Sequence, residues 1–123
     1  MSDLERLQGR WRQIASSIDG GPELEAPDGD EFAGDLVTEF AGDTFRVLDP
    51  SGAVVLAGRF VLDEAEHAVD WIDSFGADAG VVLPARYELT ATTLAFAATD
   101  AGARRPVRVA PAAGITLRRF VRS

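Results

Sequence analysis

The chain has no cysteine and no lysine, and only one histidine and one tyrosine. Without cysteine there can be no disulfide, no thiolate metal ligand and no thiol nucleophile. A chain without disulfides fits a reducing compartment. A single histidine cannot complete the usual zinc sets. The acids between residues 19 and 35 lack the spacing of a calcium loop. No glycine-rich phosphate loop leads from a strand into a helix, and Gly-x-Ser-x-Gly is missing. No motif supports haem ligation by His67. The expectation is therefore no metal and no cofactor. No apolar run is long enough to span a bilayer. The opening residues mix acid and base without the apolar stretch of a signal peptide. The sequence thus predicts a cytoplasmic protein that does not engage membranes.

All 12 basic residues are arginine, against 20 acids, for a net charge of −8. Residues 1–100 carry 6 of the arginines and every acid; residues 101–123 carry the other 6 and none. An acidic chain repels phosphate backbones, so nucleic acid is not an expected partner. The basic tail is expected to lie beside acidic neighbours. With 123 residues, 46% of them apolar, the chain reads as one domain, 1–123, with one core.

Ser2-Asp3-Leu4-Glu5 has the form of a capping box and predicts a short helix over 3–8, ended by Gly9. Beyond it, turn signals recur about every ten residues, the rhythm of an all-β barrel or sandwich. Strands are expected at 10–18, 35–40, 44–48, 53–62, 67–73, 81–89, 93–99 and 115–121. Between the first two, 20–34 is a polar loop that could cover a barrel mouth or simply be mobile. Asp49-Pro50-Ser51-Gly52 suits a type I turn. Eight strands joined in sequence predict an antiparallel up-and-down barrel, which also removes free strand edges. A flattened barrel or sandwich with a filled core is the other architecture that alternation allows.

Gly9-Arg10-Trp11 opens the first strand directly after the helix, and Arg118-Arg119 lies in the last. This pair resembles the lipocalin pattern of Gly-x-Trp with a late basic residue packed across the indole. The resemblance implies that Trp11 and, by strand parity, Arg119 form a structural cation–π closure, with Arg118 as second choice. Further motifs follow in order: Leu7-Gln8-Gly9-Arg10-Trp11, Phe40-Ala41-Gly42-Asp43-Thr44-Phe45, Gly58-Arg59-Phe60-Val61-Leu62-Asp63, Tyr87-Glu88-Leu89 and Arg105-Pro106. Together they resemble a small uncharacterised bacterial domain family, expanded in planctomycetes. Its implied fold is lipocalin-like and it implies no activity. Departures from its pattern fall at Trp71, Ala85, Arg86 and Thr90-Ala91-Thr92.

The candidate catalytic residues are Tyr87 and His67. Tyr87 shares a face with Leu83 and Leu89, where its hydroxyl could donate to a carbonyl. His67 shares a face with Val69 and Trp71, where an imidazole could serve as general acid or base. Each also has a plain reading, as a core tyrosine and a solvent-facing histidine. Trp71, Thr38, Phe40, Phe60, Leu83 and Phe96 are the candidate ligand-binding residues, with core filling as the alternative. Gln13, Ser17 and Thr38 are polar residues that could project inward and hint at an occupied interior. The expected function is binding of a small apolar molecule. Its catalytic form would be a cofactor-free cyclase or isomerase that folds a polyketide-like substrate into a reactive shape. The alternative is a non-catalytic carrier, sensor or interaction domain. An open interior lined by Trp71, Tyr87 and Phe96 would favour the first; packing by Phe40, Phe45, Phe60 and Phe96 would favour the second. A homodimer through Val37, Ile18 and Ile72 is a third expectation.

Overall fold

The computed structural model describes residues 2–25, 36–74, 79–100 and 102–122. Helix α1 (Asp3–Leu7) leads into β1 (Gly9–Ile18), β2 (Leu24–Glu25), β3 (Val37–Ala41), β4 (Thr44–Leu48) and β5 (Val54–Asp63). The chain continues through β6 (Ala68–Asp73), β7 (Val82–Leu89), β8 (Thr93–Thr99) and β9 (Ile115–Arg122). Each long strand pairs antiparallel with the next, and β1 pairs with β9. Eight strands therefore close a barrel. The two-residue β2 was not foreseen; it pairs beside β1 at Ala15 and Ser16, inside the expected 20–34 loop. The rest of that loop, 26–34, lies outside the described residues.

The helix starts as its capping residues dictate. Ser2 Oγ accepts from the Glu5 amide at 3.1 Å. At the β4–β5 turn the Asp49 carboxylate accepts from the Ser51 hydroxyl at 2.6 Å and the Ser51 and Ala53 amides. These bonds, the Ser51 hydroxyl foremost, hold its pKa below the ordinary value. Gly52 completes the turn with φ +87°.

Inward faces follow strand alternation. Facing residues across the ladder share a side, so Thr38 and Phe40, Phe45 and Val47, Leu56, Gly58 and Phe60 point inward. Val69 and Trp71 continue the face through their partners Leu62 and Phe60, as do Leu83, Ala85 and Tyr87. Gly58 is needed inside. A Cβ there would fall 2.2 Å from the Ile72 carbonyl oxygen and 2.9 Å from the Phe45 ring.

Three expectations about orientation need correction. A bulge between Gln13 and Ala15 shifts the register of β1 against β9. Trp11 and Gln13 face in before it, and Ser16 after it, while Ser17 turns outward and its hydroxyl bonds the Gly21 carbonyl at 2.6 Å. In β9 the inward set is Thr116, Arg118 and Phe120, opposite Ala98, Phe96 and Leu94. Arg119 thus points out. Its Nε pairs with Glu23 Oε1 at 2.5 Å, which raises its pKa. Finally, neither outward isoleucine holds as expected: Ile72 is buried although its side of the sheet faces out, and Ile18, opposite the inward Thr116, lies on the inner side at the rim, 56% exposed.

Candidate functional site

The two ends of the barrel differ in chemistry. At the first, α1 closes the interior. Trp11 is fully buried and its Nε1 donates to the Leu7 carbonyl at 2.8 Å. The cation over its ring is Arg122, with the guanidinium carbon 4.1 Å from the centroid. Arg119, expected there, is displaced by the parity just described. Arg122 also donates to the carbonyls of Gln8 at 2.8 Å, Ala91 at 3.2 Å and Arg6. Gln8 exchanges two hydrogen bonds with Gly42, at 2.7 and 3.0 Å, tying the helix to the β3–β4 turn.

Tyr87 and His67 belong to this closed end. The Tyr87 hydroxyl donates to Asp3 Oδ2 at 2.6 Å. Burial, reinforced by the Asp3 carboxylate, pushes its pKa above the ordinary tyrosine value. The Asp3 amide in turn donates to Glu64 Oε1 at 2.6 Å. His67 is not an inward strand residue. It closes the β5–β6 turn at φ +50°, exposed, with its ring edge-on to Tyr87 at 5.7 Å. The two residues are neighbours, but the tyrosine hydroxyl is engaged in holding the helix.

Across the middle of the barrel the aromatic side chains form a floor. Trp71 is its centre, with ring centroids of Phe45 at 5.5 Å, Phe60 at 5.6 Å, Phe40 at 6.1 Å and Phe96 at 4.9 Å. Phe96 stacks on Phe120 at 5.7 Å. Beneath the floor, a void of about 10 Å³ remains among Leu7, Leu62, Val69, Trp71, Tyr87, Leu89 and Leu94. That is no more than one water-sized space, and its lining leaves it dry. The helix end of the interior is filled, and Phe40 and Phe60 serve as packing there.

Above the floor the inward face changes character. Val47, Leu56, Leu83, Phe96, Ala98, Thr116 and Arg118 face inward yet are only half-buried. They form the inward face of the barrel mouth, or bowl, at the end away from α1. Thr38, Leu83, Phe96 and Trp71 of the expected binding set border it; Thr38 and Trp71 are buried at its base. Gln13 joins them there, 5% exposed. Its Oε1 accepts from Arg118 Nη1 at 3.3 Å. Among the described residues its Nε2 has no hydrogen-bond partner, and neither has Trp71 Nε1. A buried donor left unmet costs about 1–3 kcal/mol, so two of them in one interior are a feature to explain. Sequence reasoning named Gln13 only as a polar hint and Arg118 only as a second choice for the closed end. The signal that would have found them is the shared parity of Arg118 with Phe120.

A second concavity lies outside the barrel wall. A cleft of about 200 Å³ is bounded by Val61, Asp63, Glu66, Asp70, Arg86 and Arg105. Arg105 crosses it, donating to the Val69 and Ala85 carbonyls at 3.0 and 2.8 Å and to Asp70 Oδ1 at 2.7 Å. Arg86 binds the Pro106 carbonyl at 2.5 Å and the Glu66 carbonyl at 2.6 Å. The Arg105-Pro106 pair thereby fastens the segment before β9 onto β6 and β7. Together with Arg119–Glu23, this is the pairing with acidic neighbours expected of the basic tail.

A closed eight-strand antiparallel barrel with a short N-terminal helix is the lipocalin-like fold. The comparison with solved structures agrees. The chain is similar to a lipocalin-like protein from Bacteroides uniformis, at 15% identity and a TM-score of 0.61, covering 96% of this chain and 99% of that one. It is also similar to an uncharacterized protein from Bacteroides eggerthii, at 13% identity and a TM-score of 0.58, covering 95% and 99%. At such identities the likeness concerns the fold. No family model and no curated protein matches the chain significantly.

Proposed function

We propose that the chain binds one small, largely apolar molecule in the bowl at the end away from α1, without turning it over. The observation that carries this reading is the contrast across the aromatic floor. Below it, most inward residues are buried and only Leu62 and Leu89 are partly exposed; above it, Val47, Leu56, Leu83, Phe96 and Ala98 all face inward and all stay partly exposed. Apolar side chains lining a concavity with a few polar groups are the usual make-up of a ligand site. The lipocalin-like fold fits small-molecule binding in general.

The catalytic version of the reading is a cofactor-free cyclase or isomerase in specialised metabolism. It would fold a polyketide-like substrate and polarise a carbonyl. The residues expected to do this, Tyr87 and His67, stand at the opposite end, which is why binding is preferred. The test is a titration of octanoate, 2-nonanone and nonane, followed by tryptophan fluorescence. Ala98→Phe, which fills the bowl, should weaken binding by about tenfold. Val107→Ser, on the exposed surface, should leave it unchanged. Absence of binding by all three probes, or equal binding by Ala98→Phe, rejects the reading.

A further inference from the structure

We infer that the bowl selects ligands that present a carbonyl-type oxygen acceptor, a carboxylate or a ketone, to Gln13 Nε2 and Trp71 Nε1. This rests on the binding reading above and names its ligand class. Both side chains are more than nine-tenths buried, and both N–H groups lack a partner. One run of contacts links the two. Arg118 holds Gln13 and stands opposite Phe96 on the β8–β9 ladder, and Phe96 packs on Trp71 with centroids 4.9 Å apart.

The orientation of the Gln13 amide is not arbitrary. A guanidinium is donor only, so the atom that meets Arg118 must be the amide oxygen. That fixes the NH₂ group on the other side, where no protein acceptor waits. The indole N–H is likewise donor only. Trp11 shows the contrast: its N–H is met by the Leu7 carbonyl, whereas that of Trp71 is met by nothing. Two donors without an acceptor, at the base of an apolar bowl, call for a ligand that accepts and does not donate. An alcohol would add a donor to a place that has enough. A hydrocarbon would leave both N–H groups unmet. A carboxylate or a ketone supplies the missing lone pairs.

The three probes are close in length and differ in the acceptor they carry and in its charge. Octanoate carries a charged acceptor, 2-nonanone a neutral one, and nonane none. The readout is affinity together with the two indole N–H resonances in a ¹H–¹⁵N spectrum, assigned with Trp71→Phe. The expected result is that octanoate or 2-nonanone binds about tenfold more tightly than nonane. The Trp71 indole resonance should move on binding while that of Trp11 stays. Gln13→Met, close in size and without the N–H groups, should remove most of the preference, and Gln13→Leu serves if Gln13→Met folds poorly. Preference for octanoate over 2-nonanone would mark a charged ligand, and parity a neutral carbonyl compound; both uphold the inference. If nonane binds as well as the others, or if binding leaves the Trp71 indole unmoved, the inference falls and the binding reading stands. If none of the three binds, both fall.

Discussion

Tyr87 shows how a residue can carry the right chemistry in the wrong place for it. Its face was readable, because Leu83, Ala85 and Leu89 alternate with it. Its partner was not, since Asp3 lies 84 residues away in sequence. The sign of the resulting pH dependence follows. The folded pKa lies above the ordinary value of 10.0, so the contribution to stability is complete below that pH and is lost as pH climbs through the raised value. Denaturant midpoints should therefore fall on the alkaline side in the wild type. Tyr87→Phe should lose about 1 kcal/mol at neutral pH and show less of that alkaline decline. Since the chain has one tyrosine, tyrosinate absorbance reads this group directly; onset at the ordinary value would refute the assignment.

Among the elements, strand limits were largely legible, and facing failed chiefly in β1, in β9 and at His67. Each of the eight long strands falls within two residues of its expected limits at both ends, because alternation and turn residues are local signals. The bulge at Gln13/Ala15 is not local: it exists only as a mismatch between β1 and β9. The same holds for the cation over Trp11, which is Arg122, three residues beyond Arg119 and of opposite parity. His67 was assigned to a strand because it continues the alternation of Val69 and Trp71. The backbone instead turns left-handed there, a conformation that disfavours side chains. His67→Gly should therefore match or exceed the wild type in stability, while His67→Val should lose about 1–2 kcal/mol. Equal loss in both variants would mean that the imidazole, not the turn, matters.

For the whole molecule, closure is the governing fact. The β1–β9 ladder joins the most distant parts of the chain and leaves the barrel without a free edge at that seam. Pairing so remote in sequence is slow to form and belongs to the cooperative unit. Amides along β1 and β9, such as those of Arg12 and Leu117, should exchange with solvent only on global unfolding. Fast exchange along the seam, at rates typical of turns, would show that the barrel opens there. The barrel was foreseeable from strand count and short connections. The division of its interior was not, because the number of aromatic residues says nothing about where they meet.

The ring cluster around Trp71 acts as a partition between two kinds of freedom. Side chains on the helix side of it answer to packing, where one methylene more or less is felt throughout the core. Side chains on the other side meet open space, and the fold places few demands on them. Under the proposed binding function, changes at Leu56, Leu83 or Ala98 would exchange one cargo for another with the foundation undisturbed.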